Sequence, residues 1–197
     1  MKTRKTLVVL LLAIAPAISA QFNTGASYFS GSTRGSLGFS SLAQELNGEV
    51  YRTNALYFGL TPEAGYFIKN RLALGAAIGL NYTAYFEGVT DDYSIVAGPS
   101  VRYYLPRDTE LQIFLYGFFG FGGVPDHKLV EFSAGPGFNY FLTERVALEA
   151  RTLYTLTREW NPVGGGHHNL HDVGATIGVS LFFSDLTFIT RQRELVD

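Results

Sequence analysis

Residues 171–183 read HDVGATIGVSLFF. The odd positions are His171, Val173, Ala175, Ile177, Val179, Leu181 and Phe183; the even positions are Asp172, Gly174, Thr176, Gly178, Ser180 and Phe182. One face is almost wholly apolar and the other is small and polar. Residues 72–84 repeat the contrast, with Leu72, Leu74, Ala76, Ile78, Leu80 and Tyr82 against Ala73, Gly75, Ala77, Gly79, Asn81 and Thr83. Residues 146–157 do so again, from Val146 and Leu148 against Ala147 and Glu149. A period of two sustained this long is a β-strand between two unlike environments.

A longer period organises these strands. Pro62, Pro99 and Pro136 lie 37 residues apart, as do Leu74, Leu111 and Leu148. The aromatic pairs Tyr66-Phe67, Tyr103-Tyr104 and Tyr140-Phe141 share the spacing, and each precedes a short polar turn. Such a repeat predicts stacked β-hairpins. Further strands are expected near 33–42, 54–68, 93–105, 110–122 and 129–142, giving eight in all, with residues 22–32 either extending the first or forming a tail. The connections are expected near 43–53, 86–92, 123–128 and 159–170, long ones alternating with the short turns. The three prolines share the apolar parity, and each withholds one N–H from a ladder. The pattern alone marks them as bulges or unpaired positions.

The first twenty residues stand apart. Lys2, Arg4 and Lys5 precede an apolar run from Leu7 to Ile14, Pro16 breaks it, and Ile18-Ser19-Ala20 offers a cleavage site before Gln21. This is the pattern of a secretory signal peptide over 1–20. The barrel is then expected over 21–183 and a short tail over 184–197. No Cys is present, so neither a disulfide nor a lipidated Cys contributes. Losing the three leader charges leaves about 12 basic against 17 acidic residues, a balance that argues against a nucleic-acid partner. No apolar run after residue 20 reaches the roughly 18 residues of a helical span. Twenty-two Gly, sixteen Phe and twelve Tyr favour strands, turns and close backbone contacts.

Eight antiparallel strands close into a barrel in two ways. A soluble barrel turns its apolar face inward around a ligand; a transmembrane barrel turns it outward to lipid. The minor face here is rich in Gly, Ser, Thr and Ala and poor in Lys, whereas a soluble exterior carries many more charges. Tyr66, Tyr103 and Tyr140 share the apolar parity beside the short turns, where an interfacial aromatic girdle belongs. The expected fold is therefore all-β: an eight-stranded antiparallel transmembrane β-barrel, an up-and-down meander in the bacterial outer membrane with both chain ends on the periplasmic side. Outer-membrane lipid is its expected surrounding partner.

Three segments carry a resemblance. TPEAGYFIKNRLALGAAIGLNY (61–82), GPSVRYYLP (98–106) and GPGFNYFLTERVALE (135–149) resemble the small outer-membrane β-barrel domain proteins, the porin family of Bacteroidetes-type Gram-negative bacteria. Ala20-Gln21 is similar to their signal cleavage point. The resemblance spans roughly 22–183 and implies a fold and an envelope location rather than an activity. It also implies the barrel assembly machinery as a partner. Such barrels often end on an aromatic residue which that machinery recognises; here fourteen residues follow Phe183.

Four charges have inward parity: Glu63, Arg102, Glu149 and Arg151. Counted from the nearest short turn they share a depth, so two acids and two bases are expected to neutralise one another in one layer. That layer reads either as a plug against ion flow or as a polar core with no transport role. Gln112, Tyr104, Tyr57 and Tyr116 also point inward. His167, His168 and His171, behind Gly164-Gly165-Gly166, are the one metal-like cluster; His167 and His171 form a weak candidate pair across a loop and a strand start. A lipid-modifying enzyme would need a Ser–His pair with an acid on the outer rim, and His171 has no outward Ser nearby in sequence. Trp160, with Arg158 and Glu159, is expected to open the longest late loop as an interfacial ring. No catalytic residue, cofactor or metal is expected. The expected role is structural or surface-interacting, with a loop ligand as a partner; the runner-up is a narrow pore for small solutes or ions.

Overall fold

In the computed structural model, residues 22–38, 55–85, 92–106, 110–124, 127–160 and 167–183 are described. The leader over 1–20 and the tail over 184–197 lie outside them. Eight strands follow in chain order: β1 (Ser27–Gly38), β2 (Ala55–Lys69), β3 (Leu72–Tyr85), β4 (Asp92–Tyr104), β5 (Leu111–Val124), β6 (His127–Phe141), β7 (Val146–Trp160) and β8 (His167–Phe183). Each pairs antiparallel with the next, and β8 pairs with β1 to close the barrel. Closure removes every sheet edge along the paired length, the condition for strands to cross a bilayer.

The alternation in the sequence becomes the inside and outside of the wall. Leu74, Ile78 and Leu80 of β3 are exposed, while Ala73 and Ala77, of the other parity, are buried. On β8, Val173, Ile177 and Val179 are exposed and Asp172, Thr176 and Ser180 are buried. The barrel is thus greasy outside and polar or tightly filled inside, the reverse of a soluble barrel.

Register explains the prolines. Pro62, Pro99 and Pro136 pair on one side with Gly31, Ala76 and Leu115. On the other side each ladder has a gap. β2–β3 pairing stops at Leu60↔Leu80 and resumes at Glu63↔Ala77; β4–β5 stops at Ala97↔Phe121 and resumes at Ser100↔Phe118; β6–β7 stops at Ala134↔Tyr154 and resumes at Gly137↔Arg151. The count of residues across each gap is equal on both strands, so these are unpaired positions and not bulges. The repeat places each missing N–H on the hairpin partner's side, at one height in three successive hairpins. At two of them the preceding residue is a glycine in close approach. A β-carbon on Gly98 would lie 2.0 Å from the Phe119 carbonyl oxygen, and one on Gly135 would lie 2.0 Å from that of Thr152.

The first strand, β1, begins at Ser27, so residues 27–32 extend the strand expected from 33, while 39–42 lie outside the described residues. Two expected connections need correction. The connection expected at 123–128 shrinks to residues 125–126, so long connections do not strictly alternate with short ones. The connection expected at 159–170 is also shorter, because β7 runs to Trp160 and β8 begins at His167. The first short turn is built around Arg71, while that at 106–109 lies mostly outside the described residues. Arg71 adopts a left-handed φ of 68°, and its backbone N–H donates to the Phe22 carbonyl (2.7 Å) while its own carbonyl accepts from Tyr104 N (2.8 Å).

Candidate functional site

The four inward charges come from three strands and meet in the barrel interior. Glu63 lies on β2, Arg102 on β4, and Glu149 and Arg151 two residues apart on β7, where strand periodicity points both inward. All four are at most 3% exposed. Arg102 grips Glu63 with two prongs, Nε to Oε1 at 3.0 Å and Nη2 to Oε2 at 2.5 Å, and reaches Glu149 Oε2 with Nη1 at 2.6 Å. Arg151 closes the square, with Nη1 at 3.2 Å from Glu63 Oε2 and Nε at 2.8 Å from Glu149 Oε1. Each cation touches both anions, and the formal charge sums to zero. Ions tolerate removal from water when opposite charges lie close and most of their remaining lone pairs and protons are hydrogen-bonded, as here; Arg151 Nε meets Glu149 by charge alone, without a hydrogen bond.

Hydroxyl groups complete the engagement. Tyr28 donates to Glu63 Oε1 at 2.6 Å and Ser100 to the same oxygen at 2.9 Å. Ser30 and Ser180 donate to Glu149, and Arg151 Nη2 donates to Ser32 at 2.8 Å. This is where the Ser content of β1 goes. The Arg102 guanidinium lies 4.4 Å from the Tyr28 ring centre and 5.1 Å from that of Phe114, and Arg151 lies 4.4 Å from that of Tyr116. Cations over ring faces gain further stabilisation where water is excluded.

Between this square and the barrel end that carries Phe22 and Phe183 sits a second layer, which sequence reasoning missed. Phe22 precedes β1, is buried, and packs against Tyr104 (4.3 Å between ring centres), Phe67 (5.6 Å), Phe182 (5.7 Å) and Phe141 (5.9 Å). Tyr104 continues the stack to Phe114 at 5.1 Å. Gly25, with φ of 102°, turns the segment back so that its N–H donates to the Phe67 carbonyl at 3.0 Å. The aromatic pairs of the 37-residue repeat held the signal. In Tyr66-Phe67, Tyr103-Tyr104 and Tyr140-Phe141 the first ring is exposed on the wall and the second is buried in this plug. Gln112, Tyr57 and Tyr116 are buried as well, and the Asn139 amide lies 3.0 Å from the Tyr104 hydroxyl.

On the other side of the square the lumen loosens. Arg34 pairs with Asp172, donates to Thr155 Oγ1 at 2.9 Å and lies 3.9 Å from Glu131. Ser133 donates to Glu131 at 2.9 Å. Cavities of about 40 and 30 Å³ open here, both lined by Arg34, Asn81 and Glu131. Each has room for about one water molecule. The interior is therefore a polar mouth over a neutral ionic square over an aromatic plug.

On the wall, Tyr66, Tyr103 and Tyr140 are exposed near the plugged end. His167 and His171 both fall within β8, which corrects the expected loop placement. An extended backbone sets their Cα atoms about 13 Å apart. The exposed His171 ring instead meets the Tyr154 hydroxyl, with Nδ1 and Oη 2.6 Å apart. Among the described residues no group of three or more His, Cys, Asp and Glu is arranged to hold a metal ion.

No protein-family profile matches the chain, and no curated protein matches it by sequence. Solved structures do. The outer membrane protein OprG from Pseudomonas aeruginosa superposes with a TM-score of 0.59 at 14% identity, covering 83% of this chain and 98% of that one. The fold is that of a small outer-membrane β-barrel. Neisserial surface protein A matches with a TM-score of 0.56 at 20% identity, over 81% of this chain and 99% of its own. The outer membrane protein AlkL, solved in lipid bilayers, matches at 0.51 and 16% identity, over 86% and 95%. At these identities the likeness is one of architecture, and chemistry has to come from this chain's own residues.

Proposed function

We propose that this protein resides in the outer membrane as a closed, non-conducting barrel with a structural or surface-interacting role in the envelope, and that it is not an enzyme. The filled interior carries the reading. Eight strands leave space for side chains and little else, and here that space holds a neutral ionic square backed by an aromatic plug. The termini and the plugged end are assigned to the periplasm, with Tyr66, Tyr103 and Tyr140 as the girdle on that side. The motif resemblance to the Bacteroidetes-type porin family supports the same placement. A conducting pore would require the square to break and the plug to leave, and each move exposes buried charge or apolar rings.

Planar-bilayer recording tests this. The refolded barrel is expected to give no stable conductance steps across the physiological range of salt. A large, steady open conductance would overturn the sealed reading and favour the pore.

A further inference from the structure

Away from the short-turn rim, where Lys69 of β2 is exposed, the described outer wall carries basic side chains in one sector alone. Apart from Lys69, the outward positions of β1 to β5 among the described residues include no Lys, Arg, His, Asp or Glu. Those of β6, β7 and β8 include Lys128, Arg158 and His171, all exposed, and no carboxylate. Far apart in sequence, the three are joined by register. Lys128 stands opposite Trp160, Val130 opposite Arg158, Arg158 opposite Asn169 and Leu156 opposite His171. Lys128 and Arg158 are thus diagonal neighbours, and so are Arg158 and His171, at separations of about 7–8 Å that long side chains bridge. The nearby acids face the other way. Asp172 and Glu131 are buried toward Arg34, and Glu159 lines the lumen cavity.

Height places this row at a boundary. Lys128 lies twelve residues along β6 from the girdle residue Tyr140. That is about 40 Å of strand and about 30 Å of height at the usual tilt, just beyond an apolar band of about 25 Å. His171 lies equally far from Phe183 along β8. Directly beneath the cations the wall turns apolar again, with Phe132, Tyr154 and Val173 exposed. Two of the three side chains are held in place. The Arg158 guanidinium lies 5.6 Å from the Trp160 ring centre, and His171 is tied through Nδ1 to Tyr154, leaving Nε2 for an incoming group. A stacked arginine still presents its fork of donors to a phosphate.

We propose that Lys128, Arg158 and His171 form a docking site on the outer wall for the phosphate of an anionic glycolipid of the outer leaflet, whose acyl chains lie on the apolar sector below. A free anion would have no use for the greasy surface beneath. The proposal rests on the assignment of the termini to the periplasm, which makes this rim the outer one.

The test uses the refolded mature barrel in detergent and follows the fluorescence of Trp160, the sole tryptophan, during titration with diphosphoryl lipid A. Native mass spectrometry counts the bound lipid independently. Saturable binding is expected, weakened at least roughly tenfold in the Lys128→Gln/Arg158→Gln double variant. Binding should be lost with dephosphorylated lipid A and withstand millimolar inorganic phosphate. A Lys69→Gln variant, altered at the opposite rim, should bind as the parent does. An unchanged midpoint in the folded double variant, equal binding of dephosphorylated lipid, displacement by inorganic phosphate or an equal loss in Lys69→Gln would each overturn the site. Failure of the parent barrel to insert into lipid vesicles would instead defeat the membrane reading beneath it.

Discussion

Replacing Arg102 with Met is expected to cost the barrel about 3–5 kcal/mol, measured by urea unfolding in lipid vesicles. Met occupies much of the same volume, so the loss is electrostatic and not a cavity effect. Arg102 makes the two-pronged contact to Glu63 and the 2.6 Å contact to Glu149. Without it, Arg151 alone faces two carboxylates, and one negative charge is left uncompensated where nothing but hydroxyls and rings surround it. The charge-balanced double variant Arg102→Met/Glu63→Gln should recover more than half of the loss, because an amide in place of the second carboxylate restores neutrality. Recovery is the informative part. If the double variant were as unstable as the single one, the square would act through shape and packing. A loss below about 1 kcal/mol in the single variant would place the network among weak surface-type ion pairs.

The second large effect is a single methyl group. Gly135→Ala should destabilise the barrel by about 3 kcal/mol, at the upper end for overpacking. Its β-carbon would meet the Thr152 carbonyl oxygen at 2.0 Å and the carbonyl carbon at 3.0 Å. These are backbone atoms of the neighbouring strand, so no side chain can swing aside; β6 and β7 must separate beside the gap already left by Pro136. Gly98→Ala, 2.0 Å from the Phe119 carbonyl, should behave alike. Gly31→Ala is the control: nothing lies within 4 Å of its added carbon, and its effect should stay within about 0.5 kcal/mol. Unfolding curves of the three variants in one lipid system compare them directly. Equal stability of Gly135→Ala and Gly31→Ala would contradict the close approach of β6 and β7.

Much of this architecture was legible in the chain because it is written with period two. β3, β7 and β8 each offer a large apolar residue against a small or polar one at nearly every step, and a wall between lipid and a narrow lumen needs that contrast. The four charges of the square were legible for the same reason, since parity fixes the face and distance from the turn the depth; Arg34, Glu131 and Asp172, inward near the mouth, were not counted with them. β1 was harder. Its sequence, SYFSGSTRGSLG, is small on both faces. The strand is held by its neighbours, by Tyr28 on Glu63, by Ser30 and Ser32 on Glu149 and Arg151 across the lumen, and by Phe22 anchored in the plug. None of those contacts is local. The ladder gaps beside the prolines needed register, since a missing N–H matters only once its facing strand is known. The cationic row on the outer wall was invisible for a related reason. Lys128, Arg158 and His171 become neighbours only through diagonal pairing, and in sequence each looks like an isolated loop-edge residue.

The polarity of the wall is the claim on which the rest stands, and nitroxide labelling of β8 tests it most directly. Ile177, 68% exposed on the structure, is replaced by Cys, labelled, and the barrel is refolded into lipid vesicles. The label there should collide freely with dissolved oxygen, which concentrates in hydrocarbon, and hardly at all with a water-soluble nickel chelate. A label at Ile177 that collides readily with the nickel chelate and poorly with oxygen would turn the barrel the other way out.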